Sequence, residues 1–152
     1  MDDWRSYDSV AETYARIHAP RLAEPARDLV ELTGVQPGWS VLDVGTGTGV
    51  AAFEATGAGA KVVGIDEALG MLRVARSANG SLPLASALAI DLPFRDGAFD
   101  ALLANFVIAH FTKYKTALFE MKRVLRSGGR IGLTAWADAE DDLARTWFEL
   151  VQ

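Results

Sequence analysis

The stretch from Ser40 to Val50, SVLDVGTGTGV, restricts the fold more than any other part of the chain. An apolar run (Val41, Leu42, Val44) carries one acid, Asp43, and then breaks into three alternating glycines, Gly45, Gly47 and Gly49. A buried strand entering a tight glycine turn reads this way. Without a Cβ, glycine reaches positive φ and lets a ligand touch the main chain. The residues after Gly49 (Val50, Ala51, Ala52, Phe53, Glu54, Ala55) read as a helix. The turn therefore aims backbone N–H groups and a helix N-terminus at one spot. That is the nucleotide cleft of an open α/β sheet.

The spacing of the glycines narrows the ligand. The dinucleotide fingerprint is G-x-G-x-x-G, and here the third glycine comes one residue early, with Val50 at the fingerprint position. The absence of G-K-[ST] excludes a P-loop. Asp43 just below the turn would repel a pyrophosphate and favour a ligand carrying an ammonium and a sulfonium. S-adenosylmethionine (SAM) is such a ligand.

On these residues, Asp43-x-Gly45-x-Gly47-x-Gly49, the chain resembles the class I SAM-dependent methyltransferases. It is most similar to their small-molecule, type 11 and ubiquinone-biosynthesis-like branch. The resemblance runs from about Tyr7 to Trp136. It implies a three-layer, Rossmann-like open α/β sheet, mostly parallel, and SAM as cofactor. It also implies cofactor contacts for Asp43, Gly45, Thr46, Gly47, Gly49, Asp66, Glu67, Met71, Leu88, Ala89, Asn105 and Phe106.

Composition bounds the partners. A chain of 152 residues suits one domain with a real core. A net charge of −5 argues against nucleic acid or an anionic membrane as partner. With no cysteine there is no disulfide, thiol nucleophile or thiolate metal site. No apolar run is long enough to span a membrane, and the first residues, MDDWRSYDS, lack an apolar signal core. The expectation is a cytoplasmic protein with a small-molecule acceptor and no metal.

In chain order, residues 4–18 predict an amphipathic helix with Val10, Tyr14 and Ile17 at helical spacing. In the family the leading helix lies over the cofactor, and a tyrosine borders its methionine end, which makes Tyr14 a candidate catalytic residue. The bland alternative is that Tyr7 and Tyr14 only pack. After Pro20, a second helix presents Ala26, Leu29, Val30 and Thr33 inward and stops at Gly34. Together residues 1–36 form a helical lid, and 37–152 the core.

A second buried strand, Ala60–Asp66, ends in an acid 23 residues after Asp43. Such an acid can accept both ribose hydroxyls, or it can cap the helix expected over 68–78. The third run, Leu84–Ile90, leads into Leu92-Pro93-Phe94. The family commonly has an acid before an alanine here, accepting from the adenine amino group. This chain has Leu88 and Ala89: the Ala89 N–H can still reach an adenine ring nitrogen, Leu88 cannot accept from the amino group, and Asp91, three residues on from Leu88, either substitutes or, as the favoured reading, simply begins the loop. Losing such a bond costs about 0.5–1.5 kcal/mol.

The fourth strand and its exit, Phe99–Ile108, bring Asn105 and Phe106 beside the glycine turn. In the family, main-chain carbonyls here hold the methionine ammonium. Asn105-Phe106-Val107 is not the Asn/Asp-Pro-Pro-aromatic motif of DNA amino-methyltransferases. His110 is a candidate general base or a loop-fixing residue. Thr112 is placed to cap a helix from Lys113 to Arg126, whose basic end reads as a solvated face. Ser127-Gly128-Gly129 ends it, Arg130–Trp136 forms strand five, and 138–152 a last helix.

The family sheet has seven strands, order 3-2-1-4-5-7-6. Five are legible here, order 3-2-1-4-5, with strands six and seven missing, as in a C-terminally truncated chain. Strand five would be a bare apolar edge, open to a homodimer or to further chain. Two rival functions stay open: a non-catalytic SAM-binding module, and an NAD-dependent oxidoreductase.

Overall fold

The computed structural model describes residues 4–136, so the helix expected over 138–152 lies outside the described residues. Two helices lead, α1 (Trp4–Ile17) and α2 (Ala19–Thr33). Strand and helix then alternate: β1 (Ser40–Val44), α3 (Val50–Gly57), β2 (Lys61–Asp66), α4 (Leu69–Ala78) and β3 (Leu84–Ser86). The chain closes with β4 (Phe99–Asn105), α5 (Tyr114–Val124) and β5 (Leu125–Thr134). All five strands are parallel in one sheet, ordered β3-β2-β1-β4-β5. This is the open Rossmann-like α/β fold and the strand order that the sequence predicted. No sixth or seventh strand lies among the described residues, and β5 is one edge of their sheet.

Side chains alternate across a strand with period two, and β1 splits its residues accordingly. Val41 joins the core on one face, with Leu29 and Val30 of α2 and Ala51, Ala52 and Ala55 of α3. Leu42 and Val44 join the core on the other, with Leu118, Met121 and Val124 of α5. Both central strands are apolar on both faces because helices cover both. Each fully buried leucine, such as Leu42 or Leu102, contributes about 1.5–3 kcal/mol. Asp43 shares the face of Val41 and so points under the N-terminus of α3.

α2 buries the four residues expected of it, Ala26, Leu29, Val30 and Thr33. It ends at Gly34 in the left-handed region, with the Gly34 N–H donating to Glu31 O and the Val35 N–H to Val30 O. Pro20 sits inside its first turn, where a missing N–H leaves no bond unmade.

Four boundaries differ from the sequence reading. β3 keeps only Leu84–Ser86, because it pairs with β2 alone over three residues and then turns, the Asp91 N–H donating to Leu88 O. β4 stops at Asn105, since Phe106 turns to positive φ and a 3₁₀ turn follows at Ile108–His110. Thr112 does not cap α5: Lys113 occupies the cap position and no side chain caps it. β5 begins at Leu125 rather than Arg130, and its register jumps from Phe99↔Leu125 to Ala101↔Arg130, so the glycine pair lies in a bulge.

The basic end of α5 is also not simply a solvated face. Arg123 donates to both carboxylate oxygens of Glu120, to Leu92 O, to Phe94 O and to Asp96 Oδ1. It pins the loop after β3 to α5.

Candidate functional site

A cleft opens at the carboxyl ends of β1 and β4, where ligands bind in open α/β sheets. Its lining brings together Asp43, Gly45, Thr46, Gly47 and Asn105 with Tyr14 from α1 and Leu22 from α2. Gly45, Gly47 and Gly49 all have positive φ, at 67°, 55° and 91°. Gly45 has a second constraint, because a Cβ there would lie 2.8 Å from Val107 Cβ and closer to its Cγ2. At Gly47 a Cβ would meet nothing within 4 Å. That position is bare toward the cleft.

Asp43 lies beneath this turn and is 1% exposed. Its Oδ2 accepts from Thr46 Oγ1 at 2.7 Å. Its Oδ1 has no hydrogen-bond partner among the described residues, and neither has the buried Thr48 hydroxyl beside it. Burial pushes the Asp43 carboxyl up to about 7, against the pull of the Thr46 hydroxyl and the smaller pull of the Ala52 backbone. The Ala52 N–H falls short of a hydrogen bond to Oδ1. Thr46, expected to touch a ligand, lines the cleft but turns its hydroxyl down onto Asp43.

Asp66 ends β2 and bridges two loops. Its Oδ2 accepts the Gly47 N–H and its Oδ1 the Ala68 N–H, both at 2.8 Å. α4 starts at Leu69 with Ala68 as its cap residue, so Asp66 makes a local turn bond rather than capping the helix directly. With about four lone-pair sites in all, the carboxylate retains acceptor capacity for a ligand hydroxyl beside these N–H groups. Burial raises its pKa, opposed by the N–H groups of Ala68, Gly47 and Glu67.

Other expected residues are placed differently. Met71 is buried under α1 against Ala11 and Ala68 rather than open to the cleft. Leu88 is 45% exposed, while Ala89 is buried in the core. Glu67 is half-buried beside Asp66, and Gly49 is the cap residue of α3. His110 is exposed on the 3₁₀ turn, its ring edge-on to Tyr7 at 5.7 Å. Phe106 follows Asn105 directly. The Tyr14 phenol has a raised pKa from burial, then from Tyr7 and Asp66. At neutral pH it therefore keeps its proton.

α1 closes the cleft by a contact that the sequence reading missed. Asp8 Oδ1 accepts the Gly70 N–H at 2.5 Å, and a Cβ on Gly70 would lie 2.6 Å from Asp8 O. Glycine inside a helix costs about 0.5–1 kcal/mol relative to alanine, and here it admits the backbone of α1. The cleft, partly open to solvent, holds about 40 Å³, room for about three waters. Gly70→Ala is expected to loosen α1. Amide exchange over 7–17 should quicken by about tenfold, and unchanged exchange would mean that Gly70 does not hold the lid.

The donor set fits a cationic nucleoside. Two buried side-chain atoms, Asp43 Oδ1 and Thr48 Oγ1, lack partners among the described residues, and two acids, Asp43 and Asp66, are tied to the glycine bend. No group of three or more potential metal ligands occurs among the described residues, nor does any helix there have the length and apolarity to cross a membrane. Residues 42–133 match the family described as a methyltransferase domain. The chain belongs to that family, the class I SAM-dependent methyltransferases.

Among its relatives, the demethylmenaquinone methyltransferase of Corynebacterium kroppenstedtii is 41% identical over 96 residues, covering 63% of this chain and 41% of that protein. The Streptomyces avermitilis protein of the same name is 37% identical over 105 residues, covering 69% and 46%. A solved structure of a putative methyltransferase from Bacillus halodurans superposes with a TM-score of 0.68 at 28% identity, covering 83% of this chain and 57% of that one. The chain spans less than half the length of the two curated relatives.

Proposed function

We propose that this chain binds SAM in the cleft over Asp43 and directs its methyl group to a small flat acceptor of the hydroxylated quinone kind. The observation that carries the reading is the buried, half-partnered Asp43 carboxylate beneath a bend of three glycines. Asp43 would face the ammonium end of the ligand, and Asp66 the ribose hydroxyls. The main chain of Gly45, Gly47, Asn105 and Phe106 would line its length, and Ala89 N–H the adenine. Leu88 cannot accept from the adenine amino group, so binding loses one hydrogen bond there.

When bound, SAM supplies a methyl group already activated on a sulfonium. The chain's own contribution is to align acceptor and donor and to exclude water, a proximity effect. α1, with Tyr14 over the cleft, serves the exclusion. His110 is the candidate to take a proton from an acceptor hydroxyl. The names of the relatives support a quinone-type acceptor, and the depth of burial of Asp43 supports a cation over a pyrophosphate.

The deciding measurement is a thermal shift. S-adenosylhomocysteine at about a hundred times its Kd should stabilise the fold by about 2.7 kcal/mol, and NADH should not. Asp66→Ala should weaken that binding by about tenfold or more. Stabilisation by NADH alone would replace this reading with the oxidoreductase. Binding of SAM without turnover over a panel of hydroxylated quinones would leave the non-catalytic module.

A further inference from the structure

Phe106 is the only residue other than glycine with positive φ among the described residues, at 55°. A side chain in that region costs about 1–2 kcal/mol, and such strain gathers at functional sites. The peptide is held there from β5. The Phe106 N–H donates to Thr134 Oγ1 at 2.9 Å, and that hydroxyl donates to Asn105 Oδ1 at 2.7 Å. The result is that the Phe106 ring lies against Trp136, centroids 4.4 Å apart and planes 29° apart.

Neither ring belongs to the two sheet cores, and Trp136 is 70% exposed. The pair adjoins the cleft, although neither ring is part of its lining. Asn105 lines it, and Val107 packs on Gly45. Phe106 stands between them in sequence, at the carboxyl end of β4, with Trp136 just beyond β5.

We propose that Phe106 and Trp136 form an aromatic ledge that stacks the flat ring of the methyl acceptor beside the cofactor cleft. An exposed indole stacked on a phenyl ring that a strained backbone holds in place offers a broad, rigid π face. Such faces hold planar rings by offset stacking, and a saturated ring of the same polarity gains little. Thr134 and Asn105 are positioning residues for the ledge. Naming the acceptor's chemistry rests on the methyl-transfer reading, whereas the ledge itself is judged on ring binding alone.

The test titrates 1,4-naphthoquinone and, separately, cyclohexane-1,4-dione into the full chain saturated with S-adenosylhomocysteine, by calorimetry or ligand-observed NMR. The chain has no cysteine to form a quinone adduct. Naphthoquinone should bind at least tenfold tighter than the dione. Trp136→Leu should lose about tenfold for naphthoquinone with homocysteine-nucleoside affinity within twofold of wild type, and Trp136→Tyr should recover most of it. Phe106→Gly, which relieves the strained φ, should also lose ring binding without unfolding. Equal binding of naphthoquinone by wild type and Trp136→Leu, or equal binding of ring and dione, overturns the ledge. Failure of S-adenosylhomocysteine to bind at all would instead sink the cofactor reading, and the naphthoquinone series is then read on the free chain.

Discussion

SAM is expected to bind nearly tenfold more tightly at pH 7.5 than at pH 6, and Asp43→Asn to remove that dependence. Asp43 carries a carboxyl raised from 3.8 to about 7, chiefly by burial. Only its ionised form attracts a cation. The ionised fraction rises from about one in eleven at pH 6 to about three in four at pH 7.5 if the group titrates near 7. Apparent affinity follows that fraction.

The sign for stability is opposite. The folded pKa lies above the unfolded value, so this group stabilises the free fold fully below about pH 4. That stability is lost as pH rises toward 7. The free chain should therefore melt lower at pH 8 than at pH 5 as far as this residue is concerned, and SAM should restore most of the difference. Asp43→Asn should raise the melting temperature of the free chain at pH 8 while weakening SAM by about tenfold or more. Affinity that stays flat with pH in the wild type would show that the ligand's cation does not meet Asp43.

Gly45→Ala and Gly47→Ala are expected to fail in different ways. At Gly45 a methyl group meets Val107 and demands positive φ. The left-handed conformation costs about 1–2 kcal/mol and overpacking about 1–3 kcal/mol more. The sum should lower the melting temperature by about 10 °C. Val107→Ala in the same chain should recover the overpacking share, a coupling that a double-mutant cycle reads directly. At Gly47 a methyl group meets no protein atom. The fold loses only the conformational part, a few degrees, but the methyl stands on the bare floor of the cleft. S-adenosylhomocysteine should bind at least tenfold more weakly. If the two variants lost stability and binding in the same proportion, the two glycines would not have separate roles.

Much of the core was legible from side-chain periodicity. The inner face of α2 (Ala26, Leu29, Val30, Thr33) and the apolar runs of β1, β2 and β4 report burial directly, because period sets which residues face a neighbour. Edges were harder. β3 reads as a mainly apolar run of seven residues, Leu84–Ile90, but pairs over three, since a strand with one neighbour ends where that neighbour ends. Arg123 reads as a solvent cation. Only the packed loop after β3 brings Leu92, Phe94 and Asp96 around it.

By itself the sequence determined the bend: where a strand must stop, where side chains are forbidden, and that one acid lies beneath. These are local properties, set by φ, by the missing Cβ and by alternation along a single strand. The tertiary structure alone decided what those residues face. Asp66 reaches back to Gly47, Asp8 closes onto Gly70 across 62 positions, and Thr134 turns Phe106 toward Trp136. Such pairings depend on the order of strands in the sheet, which brings together residues whose separation along the chain carries no trace of the contact.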